Sequence, residues 1–240
     1  MKSSAPRKTN PPNKLSGLAA LVCLVPAPTL GILAATYWWP DSALGQALFL
    51  ASKAWLVAFP AAWLLFVEHG RLSWSPPHRG GFVFSAILGL ALAAVVLAAY
   101  GLVAHMGWID HQGVARQAAR TGLNRWPVFV VGAIYWITLN SLMEEYVWRW
   151  FVFRQCEVLL GARWAVIASA LGFTLHHVVA LQAQFNWGIT TAASLGVFVG
   201  GTIWSALYLR YRSIWPCYLS HAIVDMPIFL IGYWLIFRTA

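Results

Sequence analysis

Long apolar segments alternate with short polar or Pro/Gly-rich breaks along this chain. A helix that crosses a membrane needs about 20 consecutive, mostly apolar residues, and each of these segments is long enough. The pattern predicts seven spans, at residues 16–38, 43–67, 81–104, 126–153, 163–185, 188–209 and 214–237. The segment "DHQGVARQAARTG", between the third and fourth spans, predicts a short interfacial helix. The predicted fold class is therefore all-α, a polytopic membrane helix bundle.

Composition agrees with a single membrane domain. Of the 240 residues, 60% are hydrophobic and 10% are charged, and the mean hydropathy is +0.66, which excludes an ordinary soluble domain. Residues 1–15 are basic and proline-rich and predict a flexible tail, and residues 16–240 form the membrane domain. The apolar run after the tail is too long for a signal peptide, so we interpret it as an uncleaved first span.

The net charge of +9 raises the question of nucleic-acid binding. The basic residues punctuate the apolar segments instead of clustering on one face, and no nucleic-acid motif is present. We therefore predict a lipid bilayer as partner and no nucleic acid. Most of these residues fall on one side if the amino terminus is cytoplasmic, which favours the cell (inner) membrane in that orientation. Arg116, Arg120 and Arg125 oppose it locally.

The stretch "LNSLMEEYVWRWF" places charge inside the fourth apolar segment. Glu144, Glu145 and Asp225 are three of only seven acidic residues and lie within predicted spans, where each charge costs at least roughly 2.5–3.5 kcal/mol. Arg149 follows Glu145 by four positions, so the two can pair across one helical turn. Glu144 points about 100° away from Glu145 on a regular helix, which leaves it free for chemistry.

Further ionisable residues occur in the second, fifth and seventh spans. Helix rise places Glu144 roughly 15 Å deep, His177 roughly 21 Å and His221 roughly 12 Å from the proposed inner ends. These groups can therefore converge in the middle or inner half of the bilayer, together with Asp225, one turn after His221. We interpret Lys53, inside the second span, as a lysine that reaches an interface or pairs with an acidic partner.

Three short motifs on separate late spans point to a known family. "EEYVWR" fits EExxxR, "FTLHH" fits FxxxH with Phe173 and His177, and "HAIVD" fits HxxxN/D with His221 and Asp225. In this order the motifs resemble the CPBP family of intramembrane endopeptidases, also called the ABI or CAAX-protease family, which includes the Ras-converting prenyl-protein endopeptidase. The resemblance covers about residues 126–237, and the first three spans match only in hydrophobic character.

The resemblance implies that the chain is a peptidase that attacks a peptide bond with activated water. Glu144 would be the general base, helped by His177. Glu145 and Arg149 would hold the site together, with Phe173 as further structural support.

The resemblance also implies that His221 and residue 225 donate hydrogen bonds to the oxyanion. The prenyl-protein enzymes resemble one another in carrying Asn at the position of Asp225. An ionised Asp cannot donate a hydrogen bond. Asp225 would therefore be protonated, or it would orient His221 instead.

Two histidines and a glutamate also resemble a zinc site. The HExxH helix is absent, however, and a glutamate with a histidine can activate water without metal. We therefore predict no metal ligand and no cofactor, and zinc remains the alternative. We interpret His176 as a satisfied core residue, because FxxxH selects His177 and the two rings point about 100° apart.

The sequence leaves the substrate open among membrane-associated proteins and peptides: prenylated carboxyl-terminal tails, bacteriocin-type leader peptides or carboxyl-terminal sorting tails. A non-catalytic relative, such as an immunity or scaffold protein, is an alternative function. A polytopic transporter with a buried proton-relay site is another, although the chain shows no internal repeat. A haem-binding electron carrier would differ by its absorbance.

Overall fold

The computed structural model describes residues 13–238, and every regular element in that range is helical. Seven helices in this range are long and apolar enough to cross a membrane. In chain order, with one shorter helix, the elements are α1 (Lys14–Trp38), α2 (Ala43–Val67), α3 (Phe82–His105), α4 (His111–Thr121), α5 (Trp126–Leu160), α6 (Ala162–Gln182), α7 (Trp187–Tyr211) and α8 (Ile214–Phe237). The all-α, seven-span fold is confirmed.

The spans differ from their predicted bounds mainly at α5, which continues seven residues past position 153, to Leu160. Residues 1–12 of the predicted basic tail lie outside the described residues. The predicted short helix is present as α4. The carboxylate of Asp110 accepts a hydrogen bond from the Gly113 amide (2.8 Å) at its start, and Gly122, with φ at 74°, ends it.

Helix α5 is not a regular α-helix. It widens into π-helical turns at Trp136–Asn140 and Tyr146–Val152, on either side of the α-helical turn Ser141–Glu145. The Ser141 hydroxyl donates to the Trp136 carbonyl (2.9 Å) within the first of these turns. Because a π turn holds more residues than an α turn, side chains beyond it point in different directions from those on a regular helix.

The second half of α5 lies in the centre of the bundle. Residues 147–152 are all buried and contact α2, α6, α7 and α8, and residues 153–160 contact α1. Edge-to-face contacts between aromatic rings connect α5 to its neighbours. The centroid of Trp148 lies 5.8 Å from that of Phe173 on α6, and the centroid of Phe153 lies 5.3 Å from that of Tyr208 on α7. The part of α5 that follows both glutamates is therefore enclosed by protein, whereas Val131, Ile134 and Leu139 in its first half are exposed.

A buried polar cluster fixes α2 against α5. Glu68, 5% exposed at the end of α2, accepts hydrogen bonds from Arg154 (2.5 Å) and Gln155 (2.7 Å) near the end of α5. These bonds set the position of α2, which carries Lys53, relative to α5.

Small residues bring α3 close to α8. Ser85, Gly89 and Ala93 lie four residues apart along α3 and are all buried. A Cβ atom on Gly89 would lie 3.0 Å from the Ser220 carbonyl oxygen and 3.1 Å from the Ser220 Cα. A larger residue at position 89 would therefore require α3 and the turn of α8 that carries His221 to separate by a few tenths of an ångström.

Candidate active site

Three carboxylates surround the His221 ring where α5 meets α8. Nδ1 of His221 lies 2.7 Å from Oε1 of Glu145, and because a carboxylate can only accept, Nδ1 donates. The other ring nitrogen, Nε2, lies 3.6 Å from Oε2 of Glu144 and 3.9 Å from Oδ1 of Asp225. The structure thus brings four of the predicted site residues together, with Nε2 directed at Glu144 and Asp225.

Packing holds the His221 ring in this orientation. Trp204 stacks on the imidazole with centroids 3.9 Å apart and an interplanar angle of 16°, and Phe173 meets its edge at 90°. The indole Nε1 of Trp204 donates to the Ser220 hydroxyl (3.2 Å), which fixes the indole in turn. The ring therefore has a single orientation with Nδ1 on Glu145.

The predicted pair of Glu145 and Arg149 is present and has no exposed surface. Nη1 of Arg149 lies 3.1 Å from Oε1 of Glu145, and both side chains are 0% exposed. The guanidinium lies over Phe173 (4.6 Å) and Trp204 (5.2 Å), measured to the ring centroids. Because Oε1 of Glu145 contacts both Arg149 and His221, this carboxylate couples the buried ion pair to the orientation of His221.

Glu144 lies beside both histidines of α6. One ligand atom each from Glu144, His176 and His177 lie within 4.8 Å of one another. His177 Nδ1 lies 2.9 Å from the Phe173 carbonyl oxygen, which can only accept, so Nδ1 carries the proton and Nε2 keeps a lone pair. Phe173 thus acts through its backbone as well as its ring.

The structure corrects the interpretation of His176. Its ring does pack in the core, stacked on Trp148 with centroids 5.3 Å apart. Nδ1 of His176 makes no hydrogen bond of standard geometry among residues 13–238, and its nearest polar contact is the backbone of Gly172. The 100° rule for a regular helix does not separate the two rings because Glu144 lies within reach of both.

These three residues fit a zinc ion by their chemistry. Two imidazole nitrogens and one carboxylate oxygen form a donor set that catalytic zinc sites use, and one such atom from each residue lies within 4.8 Å of the others. When bound, zinc would supply an activated water.

The sequence missed the polar residues that hold the carboxylates. Asn140 Nδ2 donates to Oε1 of Glu144 (2.9 Å), and the Ser141 hydroxyl lies 2.6 Å from Oδ2 of Asp225. A signal was available, since Asn140 and Ser141 each precede a glutamate by four residues in an apolar span. Lys53 binds Asn140 (Nζ to Oδ1, 3.3 Å) instead of an acidic partner.

Comparison with known families agrees with this site. Residues 126–227 match the family model described as type II CAAX prenyl endopeptidase Rce1-like. Every motif residue of the sequence analysis lies inside that segment. No match was found among curated proteins or among solved structures.

The seven long apolar helices are those of an integral multi-pass membrane protein, and the matched segment is similar to a class of membrane peptidases, the CAAX-type intramembrane endopeptidases. Within that class, residues 126–227 are similar to the Rce1-like type II CAAX prenyl endopeptidases. The resemblance predicted from the three motifs is thereby confirmed.

Proposed function

We propose that this chain hydrolyses a peptide bond of a membrane-associated protein with a water molecule that Glu144 deprotonates, and without a covalent acyl-enzyme. One observation carries the proposal: the buried Glu144 carboxylate lies among His176, His177 and His221, with one oxygen already held by Asn140. A general base needs such a fixed carboxylate next to groups that orient the water.

The two oxygens of Glu144 have different environments. Oε1 accepts the Asn140 amide, whereas Oε2 points toward Nε2 of His221 at 3.6 Å, too far for a direct hydrogen bond. Oε2 is therefore the atom that takes a proton from water, and the lone pair on Nε2 of His177 accepts the water's second hydrogen. The hydroxide attacks the scissile carbonyl carbon, and Glu144 then returns the proton to the leaving amine.

His221 supplies the hydrogen bond for the oxyanion that forms in this attack. Its Nδ1 is occupied by Glu145, so only Nε2 can face a substrate oxygen. A ring that carries a proton on both nitrogens donates from Nε2 to the oxyanion, whose negative charge then balances the charge of the ring. Asp225, on the same side of the ring, donates as well if it is protonated.

The substrate class that the family description favours is a prenylated protein tail. We propose that such a tail enters from the cytoplasmic leaflet of the cell membrane, with the amino terminus of the chain on the same side. Leader peptides and sorting tails are the alternative substrates, and a cleavage assay with each peptide distinguishes them.

The test is cleavage of a farnesylated peptide with a free carboxyl terminus, carrying a fluorophore and a quencher, by protein reconstituted in liposomes. Glu144→Gln should abolish cleavage and leave the thermal unfolding midpoint unchanged, because the amide keeps the shape and the Asn140 contact but cannot take a proton. Glu157→Gln, on the carboxylate that binds Arg212 away from the site, is the matched control and should retain turnover.

Wild-type turnover in Glu144→Gln would refute the base assignment. Cleavage of leader or sorting peptides alone would refute the prenylated substrate and keep the hydrolysis. A wild-type protein that cleaves none of the three peptides would support a non-catalytic relative.

A metal-dependent mechanism is the second candidate, and the grouping of Glu144 with both histidines favours it. Dialysis against a chelator, followed by addition of zinc, separates the two mechanisms. Turnover that survives dialysis supports glutamate chemistry without metal, whereas loss with recovery on zinc supports the His₂Glu site.

A further inference from the structure

We infer that Lys53 and Asn140 are positioning residues, which together hold the Glu144 carboxylate in one orientation for the proposed hydrolysis. The contacts form a chain from α2 to α5: Lys53 Nζ donates to Asn140 Oδ1 (3.3 Å), and Asn140 Nδ2 donates to Glu144 Oε1 (2.9 Å). The inference rests on the proposed function and adds residues that lie outside the three sequence motifs.

The chemistry of the three side chains decides which atom donates in each of these hydrogen bonds. A lysine ammonium group only donates, an ionised carboxylate only accepts, and an amide does both through different atoms. Asn140 can therefore satisfy both neighbours in one orientation alone, with its oxygen toward Lys53 and its nitrogen toward Glu144. Because Oε1 is thereby occupied, Oε2 is left as the free oxygen that faces His221.

The surroundings of Lys53 argue against a side chain that reaches an interface. Its ammonium lies 5.8 Å from the ring centroids of both Phe49 and Trp136, and the residue is partly buried. Among residues 13–238, no carboxylate lies within 4.0 Å of it. A cation within an apolar span is costly and persists where it has a function, and the one side-chain hydrogen bond of Lys53 leads to Glu144.

Both helices that carry this row of hydrogen bonds are held in place by other contacts. The cluster of Glu68 with Arg154 and Gln155 joins α2 to α5, so the distance from Lys53 to Asn140 does not depend on a mobile loop. Asn140 ends the first π-helical turn of α5, one turn before Glu144. The positioning device is thus built from two braced helices.

Kinetics with four variants test the inference: Asn140→Leu, Asn140→Asp, Lys53→Met and Lys53→Arg. Loss of orientation should lower kcat by about 10- to 100-fold in Asn140→Leu and Lys53→Met and leave KM unchanged, because a misplaced base slows the chemical step. Lys53→Arg should recover most of the loss, since a guanidinium also donates to the Asn140 carbonyl. Asn140→Asp should be as poor as Asn140→Leu, because it sets a second acceptor against Glu144.

The control is Gln46→Met, which removes a polar group of similar size from an exposed position on the same helix α2. It should keep wild-type kcat. A role of Lys53 in packing alone would predict equal losses in Lys53→Met and Lys53→Arg, together with a lower unfolding midpoint, and that result would overturn the inference.

A spectroscopic measurement separates failure of the inference from failure of the proposed function. The chain has only seven acidic side chains, so the infrared carboxylate band of Glu144 can be assigned as the one lost in Glu144→Gln. Asn140→Leu and Lys53→Met should shift this band, whereas Gln46→Met should not. An unshifted band with unchanged kcat refutes the positioning role. A shifted band in a protein that cleaves none of the peptides supports the positioning and refutes the peptidase.

Discussion

Replacing Arg149 with Met should strongly destabilise the protein, because it leaves the Glu145 carboxylate buried without its cation. Both side chains are 0% exposed, so water cannot replace the guanidinium. Removing one partner of such a pair typically costs about 3–5 kcal/mol in the free energy of unfolding. That cost corresponds to a roughly 200- to 5,000-fold lower ratio of folded to unfolded protein.

The same geometry predicts that a second substitution restores stability. Glu145→Gln in the Arg149→Met background removes the unpaired charge, and the oxygen of the new side-chain amide can still accept from Nδ1 of His221. Replacing a buried ion pair with neutral groups is often close to neutral, so the double variant should lie within about 1 kcal/mol of wild type. Activity should remain low, since the amide at position 145 stabilises a charged His221 ring less than the carboxylate does.

Reversible unfolding in mixed detergent and dodecyl sulfate micelles measures these differences, followed by far-UV circular dichroism and by the fluorescence of the 15 tryptophans. Arg120→Met, on the exposed face of α4, is the matched control and should change stability little. An Arg149→Met variant within about 1 kcal/mol of wild type, or a double variant no more stable than the single one, would show that Glu145 does not depend on Arg149 for its charge balance.

Two further predictions concern the residues around Glu144. His177→Ala should abolish cleavage in either mechanism. Without a metal, His176→Ala should reduce stability and retain turnover. If His176→Ala instead loses both zinc-dependent activity and measured zinc binding, metal-free chemistry is contradicted. The Ser141 hydroxyl lies near two acceptors, the Trp136 carbonyl and Oδ2 of Asp225, and has one hydrogen to donate, so a proton on Asp225 would satisfy both contacts. Asp225→Asn should therefore preserve or raise kcat, and its activity should persist at higher pH than that of wild type; an inactive variant beside a chelator-sensitive wild type would argue against the donor role.

The membrane spans could be predicted because they depend only on residues that are close together in the sequence. An apolar run of about 20 residues is visible without knowledge of its neighbours, so the second and seventh spans have the predicted bounds. The partner of Arg149 was equally accessible, because residues four apart on one helix meet wherever that helix lies.

Contacts between helices were less accessible, because they depend on rotation about each helix axis. The π-helical turns of α5 change that rotation on both sides of the glutamates, and nothing in the local sequence predicts them. The place of His176 beside Glu144 and the link from Lys53 to Asn140 therefore emerged only from the structure. The motifs contain the side chains that we propose as reactive, whereas the residues proposed to orient them were found only from the packing of the helices.

The close approach of α3 to α8 at Gly89 has a consequence for natural variation. Position 89 lies outside the Rce1-like segment and carries no functional group, yet a single methyl group there would press on the backbone beside His221. Gly89→Ala requires the Ser220 backbone to move by a few tenths of an ångström, so this substitution tests how much displacement of His221 the site tolerates. Positions where substitutions disturb the site therefore also occur before residue 126, outside the segment that contains the family motifs.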